Sequence, residues 1–444
     1  MYLFYSALLA AGLLLTLPYW LLQGLRYGKY RAGLGERLGI IPARLKNDGR
    51  PVIWVHAVSL GEVLAIAELV SELRKRLSDY RIVISTTTDS GQRVARQWFG
   101  AKDVFYFPLD FAFAIRPYLK VLAPALMVIA ETEFWPNLLR LSHARGARIA
   151  VVNARISNRS LRGYRRVHRW LAKVLSNIDV FLAQTSEDAQ RLKAIGAAEE
   201  RVTVAGNLKY DAPRPPLPAI IHSLRAAIEQ EDGGPVIVCG STVDEEELIL
   251  LQAFENVLAS HPKALMILAP RRPERFAEVA GILERLGIPF GRRSLWAGGR
   301  IAGGVLLVDT IGELAALYAL ADIAFVGGSL VPRGGHNIIE PAQHGVAIVV
   351  GNHTENFREI VALFRSHDAL RVVSPAELPL MFMELTSNDA ERIRLGRRAA
   401  EVLSLQKGAT MRTVEVLMEL LESPVDTDAG RGIAPRRAGA RAAP

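Results

Sequence analysis

The sequence predicts an α/β protein of two Rossmann-like, doubly wound units, with a hydrophobic segment ahead of the first. Three observations carry that expectation. Strand-like apolar runs alternate strictly with amphipathic helical stretches along most of the chain, the pattern of parallel sheets covered by helices on both faces. A proline-rich break, "DAPRPPLPA" at 211–219, interrupts the alternation once and reads as a stiff connector. The length of 444 residues exceeds what one hydrophobic core ordinarily serves. The expected organisation is a membrane anchor over 1–25, an N-terminal unit over 26–211, a linker over 212–219, a C-terminal unit over 220–422 and a disordered tail over 423–444.

The opening segment, "MYLFYSALLAAGLLLTLPYWLLQGL", carries no charge before Arg26. It is long enough to cross a hydrocarbon core of roughly 30 Å, and Tyr19 and Trp20 suit an interfacial belt. Pro18 would kink a spanning helix, so a segment that only dips into one leaflet is the alternative. A cleaved signal peptide would want a basic start and a small-residue cleavage site, and this segment offers neither. The cations Arg26, Lys29, Arg31, Arg37, Arg44, Lys46 and Arg50 follow it. Such a cluster stays on the cytoplasmic side and suits anionic lipid headgroups.

In the first half the strand candidates are "PVIWVHA", "RIVISTT", "DVFYFP", "ALMVIA", "RIAVVNA", "VFLAQ" and "RVTVAGN". In the second they are "PVIVCGS", "ALMILAP", "VLLVDT", "DIAFVGG", "AIVVG" and "LRVV". Ligands of such sheets bind beyond the carboxyl ends of the strands, which places a site in a cleft between two facing units. The tail, "SPVDTDAGRGIAPRRAGARAAP", has no apolar pattern.

The formal charge of +9 favours anionic partners. No nucleic-acid signature accompanies the basic runs, so nucleic acid is not expected. The single Cys239 excludes an internal disulfide and a Cys-rich metal site. The histidines are scattered and no D-x-D lies in the folded loops. No metal and no cofactor are expected.

Three loops of the second unit point to a nucleotide. In "DIAFVGGSLVPRGGHNIIEP" a buried run enters Gly327 and Gly328, and Ser329, Gly334 and Gly335 precede a helix start at His336–Glu340. Glycines permit close backbone approach, and free N–H groups at a helix start favour phosphate. Glu340 would repel phosphate but suits ribose hydroxyls, because a carboxylate only accepts hydrogen bonds. "APRRPER" sets Arg271 and Arg272 just past a strand, where a guanidinium can clasp a phosphate. "DTIGEL" sets Gly312 and Glu313 at another strand-to-helix turn; Thr310 and Glu313 also fit a plain capping box.

"HAVSLGE", 56–62, ends the first strand of the first unit and opens a helix. Ser59 and Glu62 form S-x-x-E, a capping box that needs no function. Placed at a strand end beside the expected cleft, Glu62 can also act as a general base. "AETEFWPN" offers Glu131 and Glu133 as rival bases or as ligands of acceptor hydroxyls. "GLGERLG" from Gly33 lacks the spacing and the preceding strand of a dinucleotide fingerprint.

Together "GERLG", "HAVSLGE", "ETEFWPN", "NARIS", "GNLKYD", "PRRPER", "DTIGEL", "AFVGGSL" and "GGHNIIEP", in this order, make the chain resemble the 3-deoxy-D-manno-octulosonic acid (Kdo) transferases. These are GT-B glycosyltransferases of lipopolysaccharide assembly. The resemblance spans the anchor to about residue 420. It implies CMP-Kdo as donor and a lipid A precursor at the inner membrane's cytoplasmic face as acceptor. Glu62 would take the proton of the 6′-hydroxyl, with inversion at the anomeric carbon. Pro270, Arg271, Ile311, Gly312, Glu313 and Asn337, Ile338, Ile339 and Glu340 would contact CMP. Ser59, Gly61, Glu131, Glu133, Gly328, Ser329, Gly334 and Gly335 are candidates for donor or acceptor contacts. A UDP-sugar relative such as a 2-epimerase, and a non-catalytic nucleotide-binding scaffold, are the other readings.

Overall fold

The structure is a computed structural model and describes residues 1–27, 32–46, 48–214 and 216–423. The chain divides into two compact units, one over Met1–Ala212 joined by the segment after Lys407, the other over Pro213–Gln406.

The first unit holds a seven-stranded parallel sheet. Its strands are β1 (Val52–His56), β2 (Arg81–Thr86), β3 (Val104–Tyr106), β4 (Pro124–Ala130), β5 (Arg148–Ala154), β6 (Val180–Ala183) and β7 (Val202–Val204). Their spatial order is β3-β2-β1-β4-β5-β6-β7. All seven expected runs form strands. β1 and β2 are buried along their whole length, because helices cover both faces and leave no polar side to alternate with. Trp54 anchors one face: fully buried, it donates Nε1–H to Ser85 Oγ at 2.7 Å and packs against Phe105 and Tyr118.

The second unit repeats the plan with β8 (Val236–Thr242), β9 (Leu265–Pro270), β10 (Phe290–Arg292), β11 (Gly304–Leu307), β12 (Ile323–Val326), β13 (Ala347–Gly351) and β14 (Arg371–Val373). The order is β10-β11-β9-β8-β12-β13-β14, all parallel. The sequence shows no signal for β10. It is a three-residue edge strand containing a glycine and an arginine, too short and polar to register as an apolar run.

The C-terminal boundary differs from expectation. The helix Ala409–Glu422 belongs to the first unit, with Ala409, Val414 and Leu417 in a core with Ile53, Val55 and Leu69. Asp211 fixes its start by accepting the N–H groups of Gly408 at 2.7 Å and Thr410 at 2.5 Å. An amphipathic pattern shows that a helix has a buried face but not which core covers it. The expected tail lies outside the described residues after Ser423.

The N-terminal segment is a helix, Tyr2–Tyr27. Among the described residues no helix is long and apolar enough to cross a membrane. Its first two turns are docked on the first unit. Asn137 Nδ2 donates to Ser6 Oγ at 3.0 Å, Tyr5 packs against Trp170, and the Arg140 guanidinium lies over the Tyr2 ring. The opposite face leaves Leu3, Phe4, Leu8 and Leu15 exposed. Part of the basic run that follows is taken up internally. Arg37 donates to Thr87 O, Arg44 pairs with Glu36 and Arg50 with Asp48. Arg44 and Arg50 remain partly exposed in these pairs. Lys29 and Arg31 lie outside the described residues.

Candidate active site

In each sheet the chain crosses over once. β1 and β4 are neighbours in the first sheet, β8 and β12 in the second. Strand order reverses at these pairs, and the crevice beyond their carboxyl ends is the usual ligand site of such sheets. Glu62, Glu131 and Glu133 follow the reversal strands of the first sheet and Gly328 and Ser329 follow β12 of the second, whereas Arg271 follows β9 and Ile311–Glu313 follow β11, two strands from that reversal.

β1 delivers Glu62. Ser59 caps the helix Leu60–Ala65, its hydroxyl accepting the Glu62 N–H at 3.4 Å and donating to Glu62 Oε1 at 2.9 Å. The other oxygen, Oε2, accepts the N–H of Val58 at 2.7 Å. Ser59 therefore caps the helix, but the reciprocal bond of a capping box, from the Ser59 N–H, is not made: the carboxylate reaches one residue further back, over the strand end, and Glu62 is only 9% exposed. Burial pushes the Glu62 carboxyl up to about 7. The Val58 N–H and Ser59 hydroxyl pull the other way, and the charges of Glu131 and Glu133 add to the rise. A carboxylate poised near neutrality has the proton affinity a general base needs. Gly61, in the first helical turn, is exposed.

β4 delivers Glu131 and Glu133. Glu131 follows the strand with φ 55°, in the left-handed region, and Asn153 near the end of β5 has φ 53°. Such conformations are uncommon for residues other than glycine and gather at functional sites. Burial, then the neighbouring Glu131 charge, raises the Glu133 carboxyl. His56, on β1, is a core residue: fully buried, stacked on Phe107 with centroids 3.9 Å apart, its ring held neutral by burial.

The second unit's reversal is organised by a residue the sequence reading passed over. Glu246, fully buried, accepts four backbone N–H groups. Gly328 and Val243 donate to Oε2 at 2.7 and 3.1 Å, and Ser329 and Leu330 to Oε1 at 2.8 Å each. The loop after β12 is thereby fastened to the helix after β8. The N–H groups of Gly328 and Ser329 are thus taken up by an internal carboxylate. The Ser329 hydroxyl is a pin between strands, donating to Val326 O at 2.5 Å and accepting the Gly351 N–H at 2.8 Å. In the sequence, Glu246 is hidden among three consecutive glutamates that read as an ordinary helix start.

Gly327 must be glycine here. A Cβ would lie 2.6 Å from Ser241 O and 2.7 Å from Thr242 Cα. Gly334 and Gly335 have φ of 88° and 74°, and Gly335 donates to Gly328 O at 2.7 Å, closing the loop on itself. Past it, Asn337 Nδ2 donates to Glu340 Oε1 at 3.2 Å and Asn337 Oδ1 accepts the Ile339 N–H at 3.1 Å. The side chains of Ile338 and Ile339 are buried, so only their backbone is available to a ligand. Burial raises the Glu340 carboxyl, against the Asn337 bond and the Arg271 charge. Burial, then Arg271, lowers His336 to about 4. Arg271, after Pro270 at the end of β9, thus shares one electrostatic neighbourhood with His336 and Glu340.

The remaining loop is fixed by Glu313, which accepts from Thr310 Oγ1 at 2.5 Å and pairs with Arg293 at 2.8 Å. Ile311 is exposed and Gly312, with φ 91°, has open space beside it. Of the three arginines in "PRRPER", Arg275 is structural, bonding Asp244, Glu247 and Glu278. Among the described residues, no group of three or more His, Cys, Asp or Glu side chains is placed to hold a metal ion.

Two units, each a parallel, doubly wound α/β sheet, match the GT-B class of glycosyltransferase folds. The chain is similar in fold to UDP-GlcNAc 2-epimerase from Neisseria meningitidis bound to UDP-GlcNAc. The TM-score is 0.54 at 13% identity, over 84% of this chain and 99% of that one. At that identity the likeness speaks for fold alone. The family model described as 3-deoxy-D-manno-octulosonic-acid transferase (kdotransferase) matches residues 32–212. A 3-deoxy-D-manno-octulosonic acid transferase of Haemophilus influenzae is 35% identical over 95% of this chain and 99% of its own. One of Bordetella pertussis is 35% identical over 89% and 93%. The chain belongs to the 3-deoxy-D-manno-octulosonic acid transferase family, and its activity is Kdo transfer in lipopolysaccharide synthesis.

Proposed function

We propose that the protein transfers Kdo from CMP-Kdo to the 6′-hydroxyl of a lipid A precursor, with inversion and with Glu62 as general base. The observation that carries the reading is the Glu62 carboxylate, buried at the reversal of the first sheet and raised to about 7. The acceptor hydroxyl gives its proton to Glu62 as its oxygen bonds to the anomeric carbon. The bond from that carbon to the CMP phosphate oxygen breaks, and CMP departs with the electron pair. A positioned base contributes roughly 10²–10⁴-fold to such a step.

The second unit binds the nucleotide in this reading. Arg271 meets the departing phosphate, where a guanidinium favours the developing charge. Glu340, steadied by Asn337, accepts from ribose hydroxyls. The open backbone at Gly312 lets the ligand lie close. No metal or cofactor has a part in this mechanism.

Membrane attachment belongs to the same reading. It is supported by the exposed apolar face at Leu3, Phe4, Leu8 and Leu15. Beside that helix, through the Tyr5–Trp170 contact, run segments with exposed Arg159, Arg162, Arg165, Arg166 and Arg169. Exposed apolar side chains together with exposed cations on the same unit suit the headgroup–acyl boundary of an anionic leaflet. Attachment is at the cytoplasmic face of the inner membrane, where a lipid-borne acceptor would be met.

The test is incubation with CMP-Kdo and lipid A precursor, reading the lipid by mass spectrometry, together with a thermal-shift comparison of CMP and UDP. A gain of Kdo and a preference for CMP are expected. A clear preference for UDP would overturn the donor assignment.

A further inference from the structure

The transfer proposed above, on which this inference rests, brings together a sugar acid and a phosphorylated lipid, so anionic oxygen groups must come close to the Glu62 carboxylate. The first unit holds a cationic arrangement that the mechanism has not used. Glu131 Oε1 lies 3.5 Å from Lys209 Nζ, and Glu131 Oε2 lies 3.7 Å from Arg155 Nε. Both contacts are longer than the charge-assisted bonds of about 2.7–2.9 Å that mark strong pairing. Each cation meets a different oxygen, and neither contact is bidentate.

The backbone around this loose triad is firmly held. Asn153, buried and left-handed, accepts the Leu208 N–H on Oδ1 at 3.0 Å. Its own carbonyl accepts from Gln184 Nε2 at 2.9 Å, and its Nδ2 has no partner among the described residues. Asn207 Oδ1 accepts the Lys209 N–H at 3.0 Å. The turn that carries Lys209 is therefore tied to the sheet, while its ammonium is weakly engaged. Glu131 itself holds a left-handed backbone that a residue with a Cβ adopts only when the surroundings enforce it. A rigid frame, two partly exposed cations and one loosely bound internal carboxylate make a site built to exchange anions.

We propose that Lys209 and Arg155 are the anion-receiving pair of the active site and that Glu131 is a placeholder, neutralising them until an anionic oxygen group of the substrate takes its place. The group is a carboxylate or a phosphate. The donor's sugar acid supplies the first and the acceptor lipid the second.

Steady-state kinetics of the full-length protein with CMP-Kdo and lipid A precursor test this in Lys209→Gln and Arg155→Gln, with Lys209→Arg as the conservative control. In Lys209→Gln the KM of one substrate rises about tenfold, Lys209→Arg restores most of it, and the affinity for CMP alone is unchanged. A rise confined to CMP-Kdo assigns the sugar carboxylate. A rise confined to the acceptor, and lost when the acceptor is dephosphorylated, assigns the phosphate. Both KM values within about twofold of wild type would overturn the proposal. If Lys209→Gln does not fold, the more exposed Arg155→Gln is read by the same criteria. Absence of Kdo transfer by the wild-type protein would instead count against the reading on which the proposal rests.

Discussion

The backbone N–H of Val58 and the carboxylate of Glu62 meet at 2.7 Å, so the end of β1 itself orients the Glu62 side chain. Here Ser59 and Val58 use the two oxygens in a way that holds the side chain at the strand end and buries it.

The pH profile follows from that burial. With its carboxyl raised to about 7, Glu62 is an effective base only once deprotonated, so kcat/KM rises with pH through about 7. In Glu62→Gln the residual rate loses this limb. Stability moves the opposite way. The folded protein holds this proton more tightly than an unfolded chain with a value near 4.5. Glu62 therefore contributes most to stability at low pH, and the contribution is lost as pH rises from about 4.5 to about 7. Relative to wild type, Glu62→Gln gains in melting temperature at pH 8 over pH 4.

Glu246→Ala removes the acceptor of four backbone N–H groups in a fully buried position. The loss of stability is about 3–5 kcal/mol, the scale for stranding several buried donors. Denaturant unfolding measures it, and CMP affinity falls with it because the β12 loop loses its tether. A cost under about 1 kcal/mol would show that water replaces the carboxylate.

Gly327→Ala introduces a Cβ 2.6 Å from Ser241 O and 2.7 Å from Thr242 Cα. Both are backbone atoms and cannot rotate aside. The β12 loop must shift, which lowers the melting temperature and weakens CMP binding in isothermal titration. Wild-type affinity in this variant would remove the loop from the nucleotide site.

Replacing Leu3, Phe4, Leu8 and Leu15 by Ser tests attachment through the exposed face of the N-terminal helix. Each side chain fully buried in lipid is worth roughly 1.5–3 kcal/mol, so partition onto anionic vesicles falls by far more than tenfold in total. The melting temperature changes little, since none of the four faces the domain. Undiminished vesicle binding would contradict attachment by this face.

Much of this architecture was legible because fully buried parallel strands are written as unbroken apolar runs: thirteen of the fourteen strands follow them. β10 was not, being a short edge. The helix Ala409–Glu422 was visible as a helix but not as part of the first unit, because Asp211, the residue that caps it, is 197 positions from Gly408. Glu62 was legible as a cap, and its burial at a sheet reversal is a property of strand order. Glu246 was illegible for the same reason: its four donors come from a neighbouring turn and from a loop more than 80 residues away. The glycines after β12 were legible as points of close backbone approach, but not the buried carboxylate that takes up the N–H groups of Gly328 and Ser329.

The most direct test of the assignment of Glu62 compares wild type with Glu62→Ala in the CMP-Kdo and lipid A precursor reaction, following lipid mass alongside CMP affinity. The expected result is Kdo added by wild type, transfer slowed at least about 10²-fold in Glu62→Ala, and CMP affinity nearly intact. An unchanged transfer rate in Glu62→Ala would contradict it.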